Sequence, residues 1–407
     1  MDLNTVNCGQ TMSVLISRDG IIRSKSLIFL GLSLAVLAAS GCTKSSNSTS
    51  TSGASVIRIG EVGSLTGADA TFGESTHKGI QLAVKQINST GGIKGRQLEL
   101  LTLDDQGKPS EAVLAITKLI SQQKVSAVLG EVASTLSIAM AGIAQKSQIP
   151  MITPSSLNLK VTKQGNYVFR VCFVDVFQAQ VMADFAYDDL KARKVALLRD
   201  TKSDYSQDNS IYFADFFKKR GGKIVIDQSY TAGDIDFQSQ LTAIRAAQPD
   251  VIWVPGYYTD IGLIARQAAG LGIKAPLLGG DGWDSPLLGQ IGGRAIEGSY
   301  YAGHFMIEDS NPNVQSFVKD YKAAYGEVPN SLAALGYDAA LLLGDALKRS
   351  ASDKSEDLRT AIAATKDFAG VTGTISINSD RNAVKKAVVF RVSEGGKLRV
   401  ARVYEPK

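Results

Sequence analysis

Three short β-rich runs decide the fold of this chain: VIRIGEVG at 56–63, QLELLTLDD at 97–105 and VSAVLG at 125–130. The segment between the first two runs repeats apolar residues at the spacing of one helix face, namely Ile80, Ala83, Val84 and Ile87. Between the second and third runs, Pro109 can open a helix whose apolar face begins at Ala112. The stretch therefore predicts β-α-β-α-β, the unit of a parallel sheet covered by helices.

The same alternation continues through the next part of the chain. Helices are predicted at 135–147, 176–190, 208–220, 236–247 and 258–270, and strands at 150–153, 194–200, 223–228, 250–256 and 275–280. The roughly 350 residues from Val56 onward exceed what one hydrophobic core usually holds. We therefore predict an α/β fold of two doubly wound parallel-sheet lobes, with a ligand bound between them at the carboxyl ends of the strands.

Composition excludes several classes of function. The 407 residues are 44% apolar and 20% charged, as in packed globular proteins. The 44 Lys and Arg against 39 Asp and Glu give a net charge of +5 but form no basic block, so nucleic acid is not an expected partner. The three cysteines and the histidines His77 and His304 form no metal-binding pattern. No metal site is therefore expected, and Cys172 is expected to be a buried thiol.

The sequence contains no catalytic or cofactor motif. A P-loop and a Gly-x-Ser-x-Gly elbow are absent, and the Gly-x-Gly pairs at 270–272 and 280–282 lack the third glycine of a dinucleotide loop. Nothing around either histidine has the pattern of a paired nucleophile. The sequence therefore predicts a binding protein that needs no cofactor and is not an enzyme.

The first 55 residues indicate export. A basic segment precedes the apolar run LIFLGLSLAVLAA at 27–39, and small residues precede Cys42. This ending resembles a bacterial lipobox, so we predict a lipoprotein signal peptide at 1–41, a lipid on Cys42 and a flexible Ser/Thr linker at 42–55. An ordinary secretory signal with an incidental cysteine is the alternative. The mature protein is expected on the periplasmic or cell-surface face of a bacterial membrane.

Hydroxyl side chains follow two neighbouring strands of the predicted first lobe. Ser134 and Thr135 come just after one strand, and Ser155 and Ser156 come just after the next. Hydroxyls and free N–H groups at such strand-to-helix junctions can bind a carboxylate. Helix capping alone is the alternative role of these residues.

An acidic residue and several aromatic residues mark the second predicted lobe and its edge. Asp281 follows the last predicted strand and could pair with a ligand ammonium, with Trp283 beside it for apolar contact. A turn-forming aspartate is the alternative. Phe72, Tyr205 and Tyr257 also fall at predicted strand-to-helix junctions, where packing in the core or at its rim is the default role.

A series of motifs carries a family resemblance through its order and spacing. The motifs are Gly63-x-Leu65-Thr66-Gly67, Gly91-Gly92-Ile93-x-Gly95-Arg96, Asp104-Asp105-Gln106, Pro150-Met151-Ile152-Thr153-Pro154-Ser155-Ser156, Gly256-Tyr257-Tyr258 and Gly280-Asp281-Gly282. Together they resemble the leucine/isoleucine/valine-binding family of ABC-importer periplasmic proteins, from about Ile57 to about Arg402. The resemblance implies a type I periplasmic binding protein fold, in which two lobes joined by three hinge crossovers close on a free amino acid.

The resemblance also implies roles for single residues. Ser134 matches the family's carboxylate-binding serine, Ser155 a residue whose backbone meets the ligand, and Asp281 the acid that binds the ammonium. The positions that match aromatic walls of the family's site are Phe72, Tyr205 and Tyr257. Two positions depart from the family: Leu157 stands where a threonine is common, and Asp281 stands where leucine-binding members carry glutamate.

By the same resemblance, the N-terminal lobe comprises 56–174 and 304–388, and the C-terminal lobe comprises 175–303 and 389–407. The implied function is that of a monomeric extracytoplasmic substrate-binding protein. It captures a branched-chain or other apolar amino acid and delivers it to an ABC permease that has cytoplasmic ATPases. Two alternatives stay open: a protein of this fold that binds an aromatic acid, amide or urea, and a ligand-sensing subunit of a signalling receptor.

The length of the signal peptide predicts that translation starts at Met12. A start at Met1 places 41 residues before Cys42, which is long for a signal peptide, whereas a start at Met12 leaves 30. Replacing Met12 should therefore abolish expression on an immunoblot, and replacing Met1 should leave expression unchanged. Loss of expression on replacing Met1 alone would contradict the prediction.

Overall fold

The computed structural model describes residues 56–406. The predicted signal peptide at 1–41, the start at Met12, the lipid site at Cys42 and the linker at 42–55 lie outside the described residues. Within residues 56–406, none of the helices combines the length and the apolar character that a membrane span requires.

The first sheet consists of parallel strands in the order β2-β1-β3-β4-β5. Its strands are β1 (Ile57–Gly63), β2 (Leu98–Asp104), β3 (Ala127–Leu129), β4 (Met151–Thr153) and β5 (Val168–Arg170). The helices between and after these strands are α1 (Ala70–Ser89), α2 (Pro109–Ser121), α3 (Ser134–Ser147) and α4 (Leu159–Lys163). Helices cover both faces of a parallel sheet, and accordingly β1 is buried at every position except Arg58.

The second sheet has seven strands in the order β15-β14-β10-β9-β8-β6-β7. Its strands are β6 (Lys194–Asp200), β7 (Lys223–Tyr230), β8 (Val251–Trp253), β9 (Leu277–Gly279), β10 (Tyr300–Gly303), β14 (Ala387–Val392) and β15 (Leu398–Tyr404). The helices of this half are α5 (Asp175–Asp188), α6 (Asp204–Lys219), α7 (Gln238–Ala247), α8 (Tyr258–Gly270) and α9 (Leu287–Gly292). Short 3₁₀ turns lie at Asp281–Trp283, Gly293–Ile296 and Glu394–Gly396. The last two strands are antiparallel to their neighbours.

Between β10 and β14 the chain returns to the first lobe. This segment contains α10 (Pro312–Tyr325), α11 (Ser331–Arg349), α12 (Ser355–Ala363) and a small sheet of β11 (Phe368–Gly370), β12 (Gly373–Ile377) and β13 (Ala383–Val384). Helix α11 packs along α1. The chain thus crosses between the two lobes three times: after β5, after β10 and after β13.

The prediction of two doubly wound parallel-sheet lobes is confirmed. Strand β6 and helix α8 have the bounds that the sequence predicts. Helix α6 begins at Asp204 rather than at the predicted residue 208, because the Ser203 side chain accepts a hydrogen bond from the N–H of Ser206 (3.2 Å) and caps the helix earlier. The elements after residue 303 are absent from the prediction, since they depart from simple β-α alternation.

The structure also shows the surroundings of Cys172 and of the two histidines. The thiol of Cys172 is fully buried, as predicted, and burial raises its pKa to about 12. His77 lies on α1, and its Nδ1 is 2.7 Å from Oε2 of Glu61. The imidazole is therefore hydrogen-bonded to the Glu61 side chain. The other histidine, His304, lies at the second crossover and is buried.

Two glycines allow α1 and α11 to approach each other closely. A Cβ atom at Gly79 would lie 2.0 Å from the carbonyl oxygen of Ala333, and one at Gly336 would lie 2.4 Å from the carbonyl oxygen of Thr76. Neither glycine has a positive φ, so the constraint is the space between the helices and not the backbone conformation. This contact holds the segment that returns to the first lobe after β10 against the part of that lobe that contains α1.

Gly79→Ala should therefore lower the free energy of unfolding by about 1–3 kcal/mol, because the added methyl overpacks the contact between α1 and α11. The matched control is Gly142→Ala in α3, where no atom other than those of the adjacent residues and the nearby helix backbone lies within 4 Å of the added Cβ. The control should raise the free energy of unfolding by up to about 1 kcal/mol through helix propensity. Urea denaturation measures both changes, and equal effects at the two positions would contradict the packing argument.

Candidate functional site

A small cavity lies between the two lobes, at the carboxyl ends of strands from both sheets. Six of the nine predicted ligand-binding residues line it: Phe72, Ser134, Ser155, Tyr205, Tyr257 and Asp281. Three further lining residues have no counterpart in the prediction: Val132, Gly282 and Leu332. The structure thus brings together residues from Phe72 to Leu332, which are 260 positions apart in sequence.

The first-lobe end of the cavity offers hydrogen-bond donors. Helix α3 begins at Ser134 without a side-chain cap, so the N–H groups of its first turn have no partner within the helix. Ser155 follows β4, and its buried hydroxyl has no hydrogen-bond partner in the described part of the chain. Free N–H groups and an unpaired hydroxyl at a helix N-terminus suit an anion such as a carboxylate.

Glu131 organises the two loops that form this end. Its Oε1 accepts hydrogen bonds from the N–H (2.9 Å) and the hydroxyl (3.0 Å) of Ser64, and its Oε2 accepts one from the N–H of Ala133 (2.5 Å). Its carbonyl oxygen accepts a hydrogen bond from the hydroxyl of Thr153 (2.6 Å). Burial raises the pKa of Glu131 to about 8, and the nearby carboxylate of Asp105 adds to the shift. Apart from the position of Glu131 after a strand, no sequence pattern indicates this role.

The second-lobe end carries a buried carboxylate. Asp281 is 6% exposed and lies directly after β9. Its Oδ1 accepts a hydrogen bond from Nε2 of Gln178 (3.0 Å), and Nε2 of His304 lies 3.1 Å from its Oδ2. A buried carboxylate that retains lone pairs facing a cavity is suited to a cationic group.

Aromatic rings form the walls between the two ends. Tyr205 and Tyr257 stack with ring centroids 6.0 Å apart, and Phe72, from the first lobe, meets Tyr257 edge-on at 5.4 Å. Burial, with the charge of Asp281, raises the pKa of Tyr205 well above its ordinary value, so its hydroxyl keeps its proton. The walls are therefore largely apolar and suit a small apolar group.

The other three predicted residues do not line the cavity. The hydroxyl of Thr135 donates to Oδ2 of Asp204 (3.1 Å) and accepts from its backbone N–H (3.1 Å), which links the two lobes beside the cavity. The hydroxyl of Ser156 is turned toward the loop that contains Glu131 and contacts its carbonyl oxygen (3.0 Å). Trp283 is fully buried in the second lobe, where Nε1 donates to the carbonyl of Val254 (3.1 Å).

The lobes touch each other around the cavity. The hydroxyl of Tyr258 donates to the carbonyl of Ala68 (3.0 Å), and the N–H of Ser331 donates to Oδ2 of Asp284 (3.1 Å). Burial at this contact raises the pKa of Asp69 to about 6, and a carboxylate of the second lobe adds to the shift. These contacts join the two lobes beside the cavity.

Comparison with known proteins agrees with this architecture. A family model described as periplasmic binding protein matches residues 56–397. The leucine-binding protein LivK from Thermotoga maritima is 39% identical, with a TM-score of 0.83 over 86% of this chain and 99% of that one. LivJ from Streptococcus pneumoniae, a branched-chain amino acid transporter substrate-binding protein solved with isoleucine, is 36% identical, with a TM-score of 0.82 over 86% of this chain and 100% of that one. Leu/Ile/Val-binding protein homolog 2 of Brucella abortus is 30% identical over 92% of this chain and 98% of its own length.

The adjacent serines Ser155 and Ser156 should respond differently to substitution by alanine. The hydroxyl of Ser156 lies within hydrogen-bond distance of the carbonyl oxygens of Glu131 and Val132 and of the hydroxyl of Ser137, so Ser156→Ala should lower the free energy of unfolding by about 1–3 kcal/mol. Ser155→Ala removes a hydroxyl without a partner and should change that free energy by less than about 0.5 kcal/mol. Chemical denaturation compares the two, and a larger loss in Ser155→Ala would show that its hydroxyl has a structural role.

Proposed function

The chain belongs to the periplasmic binding protein family, and we propose that it is the extracytoplasmic substrate-binding protein of an ABC importer. It captures a free branched-chain or other apolar amino acid between its two lobes and delivers it to a permease. The names of the relatives LivK and LivJ, and the isoleucine bound to LivJ, support this ligand class.

The observation that carries the proposal is the opposite polarity of the two ends of one cavity. The first-lobe end presents the N–H groups of α3 and the unpartnered hydroxyl of Ser155, which suit a carboxylate. The second-lobe end presents the carboxylate of Asp281, which suits an ammonium. An α-amino acid carries both groups on one carbon, so a single small ligand satisfies both ends.

The walls support an apolar side chain. Phe72, Val132, Tyr257 and Leu332 line the cavity, and within residues 56–406 no lysine or arginine lines it. The departure at Leu157 does not affect this surface, because Leu157 is 1% exposed and is not a lining residue. The shorter carboxylate of Asp281, compared with glutamate, places the ammonium closer to the second lobe.

Closure of the lobes links binding to transport. The ligand contacts both lobes only when the lobes are together. It therefore makes more contacts in the closed form than in the open form, and these contacts stabilise the closed form. The permease then recognises that form. The three crossovers act as the hinge. They join the lobe predicted at 56–174 with 304–388 to the lobe predicted at 175–303 with 389–407.

The proposal also includes the setting of the protein. A monomer is held by lipid on Cys42 at the outer face of a bacterial membrane and supplies ligand to permease subunits with cytoplasmic ATPases. It acts by binding alone, without catalysis or a cofactor.

Calorimetry and thermal-shift titration of residues 43–407, unfolded and refolded to remove retained ligand, test this function. Leucine, isoleucine or valine at 100 times its dissociation constant should stabilise the fold by about 2.7 kcal/mol. Asp281→Ala should weaken that binding by about 100-fold or more, because the ammonium loses its buried partner. The matched control, Asp215→Ala on the exposed face of α6, should leave it unchanged. Silence toward all amino acids with a response to benzoate, urea or a short amide would contradict the proposal.

A further inference from the structure

Two buried side chains that do not line the cavity contact the carboxylate of Asp281. Gln178, on α5, donates from Nε2 to Oδ1 (3.0 Å), and His304, at the second crossover, places Nε2 3.1 Å from Oδ2. Both side chains are almost completely buried. Each oxygen of the carboxylate therefore has a protein partner, the Tyr205 hydroxyl also interacts with the carboxylate, and lone pairs remain for the cavity.

The carboxylate fixes the orientation of Gln178. An ionised carboxylate only accepts hydrogen bonds, so the amide of Gln178 must turn its nitrogen toward Asp281. Its Oε1 then faces the hydroxyl of Tyr205 (2.8 Å) and Nδ2 of Asn209 (2.9 Å), and accepts from both. The proton of Tyr205 is thereby used within the protein, and the Tyr205 oxygen presents only an acceptor to the cavity that it lines.

The same carboxylate fixes the tautomer of His304. Nε2 must carry a proton to donate to Oδ2 of Asp281, and burial lowers the pKa of the imidazole, which leaves Nδ1 without a proton. Nδ1 is buried and has no hydrogen-bond partner in the described part of the chain. The ring is held instead by stacking on Phe173 of the first crossover, with ring centroids 3.8 Å apart and planes 24° apart.

The second-lobe end of the cavity consequently offers two acceptors, the carboxylate of Asp281 and the oxygen of Tyr205, and neither Gln178 nor His304 reaches the cavity itself. A group with several N–H donors matches this surface. A ligand carboxylate or carbonyl leaves acceptors facing acceptors, and a hydroxyl has only one proton for the two acceptors, so both are unfavourable in a buried site.

We infer that Gln178 and His304 are positioning residues that make this end of the cavity selective for an ammonium group, by fixing both oxygens of Asp281 and by turning the Tyr205 oxygen into an acceptor. The inference rests on the proposed capture of an amino acid. It adds the residues, outside the cavity lining, that set the discrimination between an amino acid and the same molecule without its amino group.

The test compares two probes, L-leucine and 4-methylpentanoate, which is leucine without the amino group. Calorimetry, with competition titration for the weaker probe, gives both affinities for the wild-type protein and for Gln178→Leu, His304→Met and His304→Gln. Gln178→Leu and His304→Met should weaken leucine binding by about 10- to 100-fold and change 4-methylpentanoate binding by less than about threefold. His304→Gln retains an N–H donor near the position of Nε2 and should keep the wild-type selectivity.

Two controls separate positioning from a general structural role. Gln240→Leu replaces a glutamine whose Nε2 donates to the carbonyl of Ser229, away from the cavity lining, and should change neither affinity. In the Asp281→Asn background, Gln178→Leu should change leucine affinity by less than about threefold, because the group that it positions is already removed. Thermal unfolding of every variant confirms that it is folded.

The outcomes distinguish this inference from the proposed function. Equal losses for the two probes, no loss in Gln178→Leu and His304→Met, or an additive loss in the Asp281→Asn background would overturn the inference while leaving the proposed function in place. A wild-type protein that binds none of leucine, isoleucine and valine would overturn the proposed function, and the inference with it.

Discussion

A carboxylate that is buried between two lobes needs hydrogen-bond donors or a cation as partners. The second-lobe half of this cleft is arranged to supply those partners. Asp281 is placed in the cleft because it directly follows β9 at the carboxyl end of the sheet. Its protein donors come from a helix and from a hinge crossover, so the charge is fixed by elements that are distant in sequence. The stacking of His304 on Phe173 joins that charge to two of the three crossovers, which connects the proposed ammonium end of the site to the segments between the lobes.

The first lobe meets the same requirement with the opposite polarity. Its buried donors, at the start of α3 and at Ser155, are held by a loop framework in which Glu131 bonds three neighbouring groups. A ligand with only one charged group leaves the other end of the closed cavity without a partner, and unsatisfied buried polar groups cost more than ordinary hydrogen bonds contribute. In this account, the closed form is stable only around a ligand that completes both ends, and this is how an amino acid is recognised before its side chain is considered.

The sequence predicted the parts of this architecture that depend on local pattern. The parallel strands and most of the central helices follow from apolar periodicity, and Ser134, Ser155 and Asp281 are predicted because each follows a strand end and matches a position of the family's motifs. Their neighbours Thr135, Ser156 and Trp283 lie outside the cavity lining, since adjacent side chains in a turn point in different directions and only tertiary contacts decide which one faces the ligand. No local sequence pattern indicated Leu332 or His304. Leu332 lies in the segment that returns to the first lobe, and His304 lies at the second crossover. The antiparallel strands β14 and β15 lie outside the β-α repeat on which the prediction was built.

A crystal structure of the refolded protein with L-leucine is the most direct test of the two-ended cleft. The ligand should lie between the lobes, with its carboxylate on the first turn of α3 and the hydroxyl of Ser155, and its ammonium on Asp281. Leucine bound in the reverse orientation, or bound outside this cavity, would contradict it.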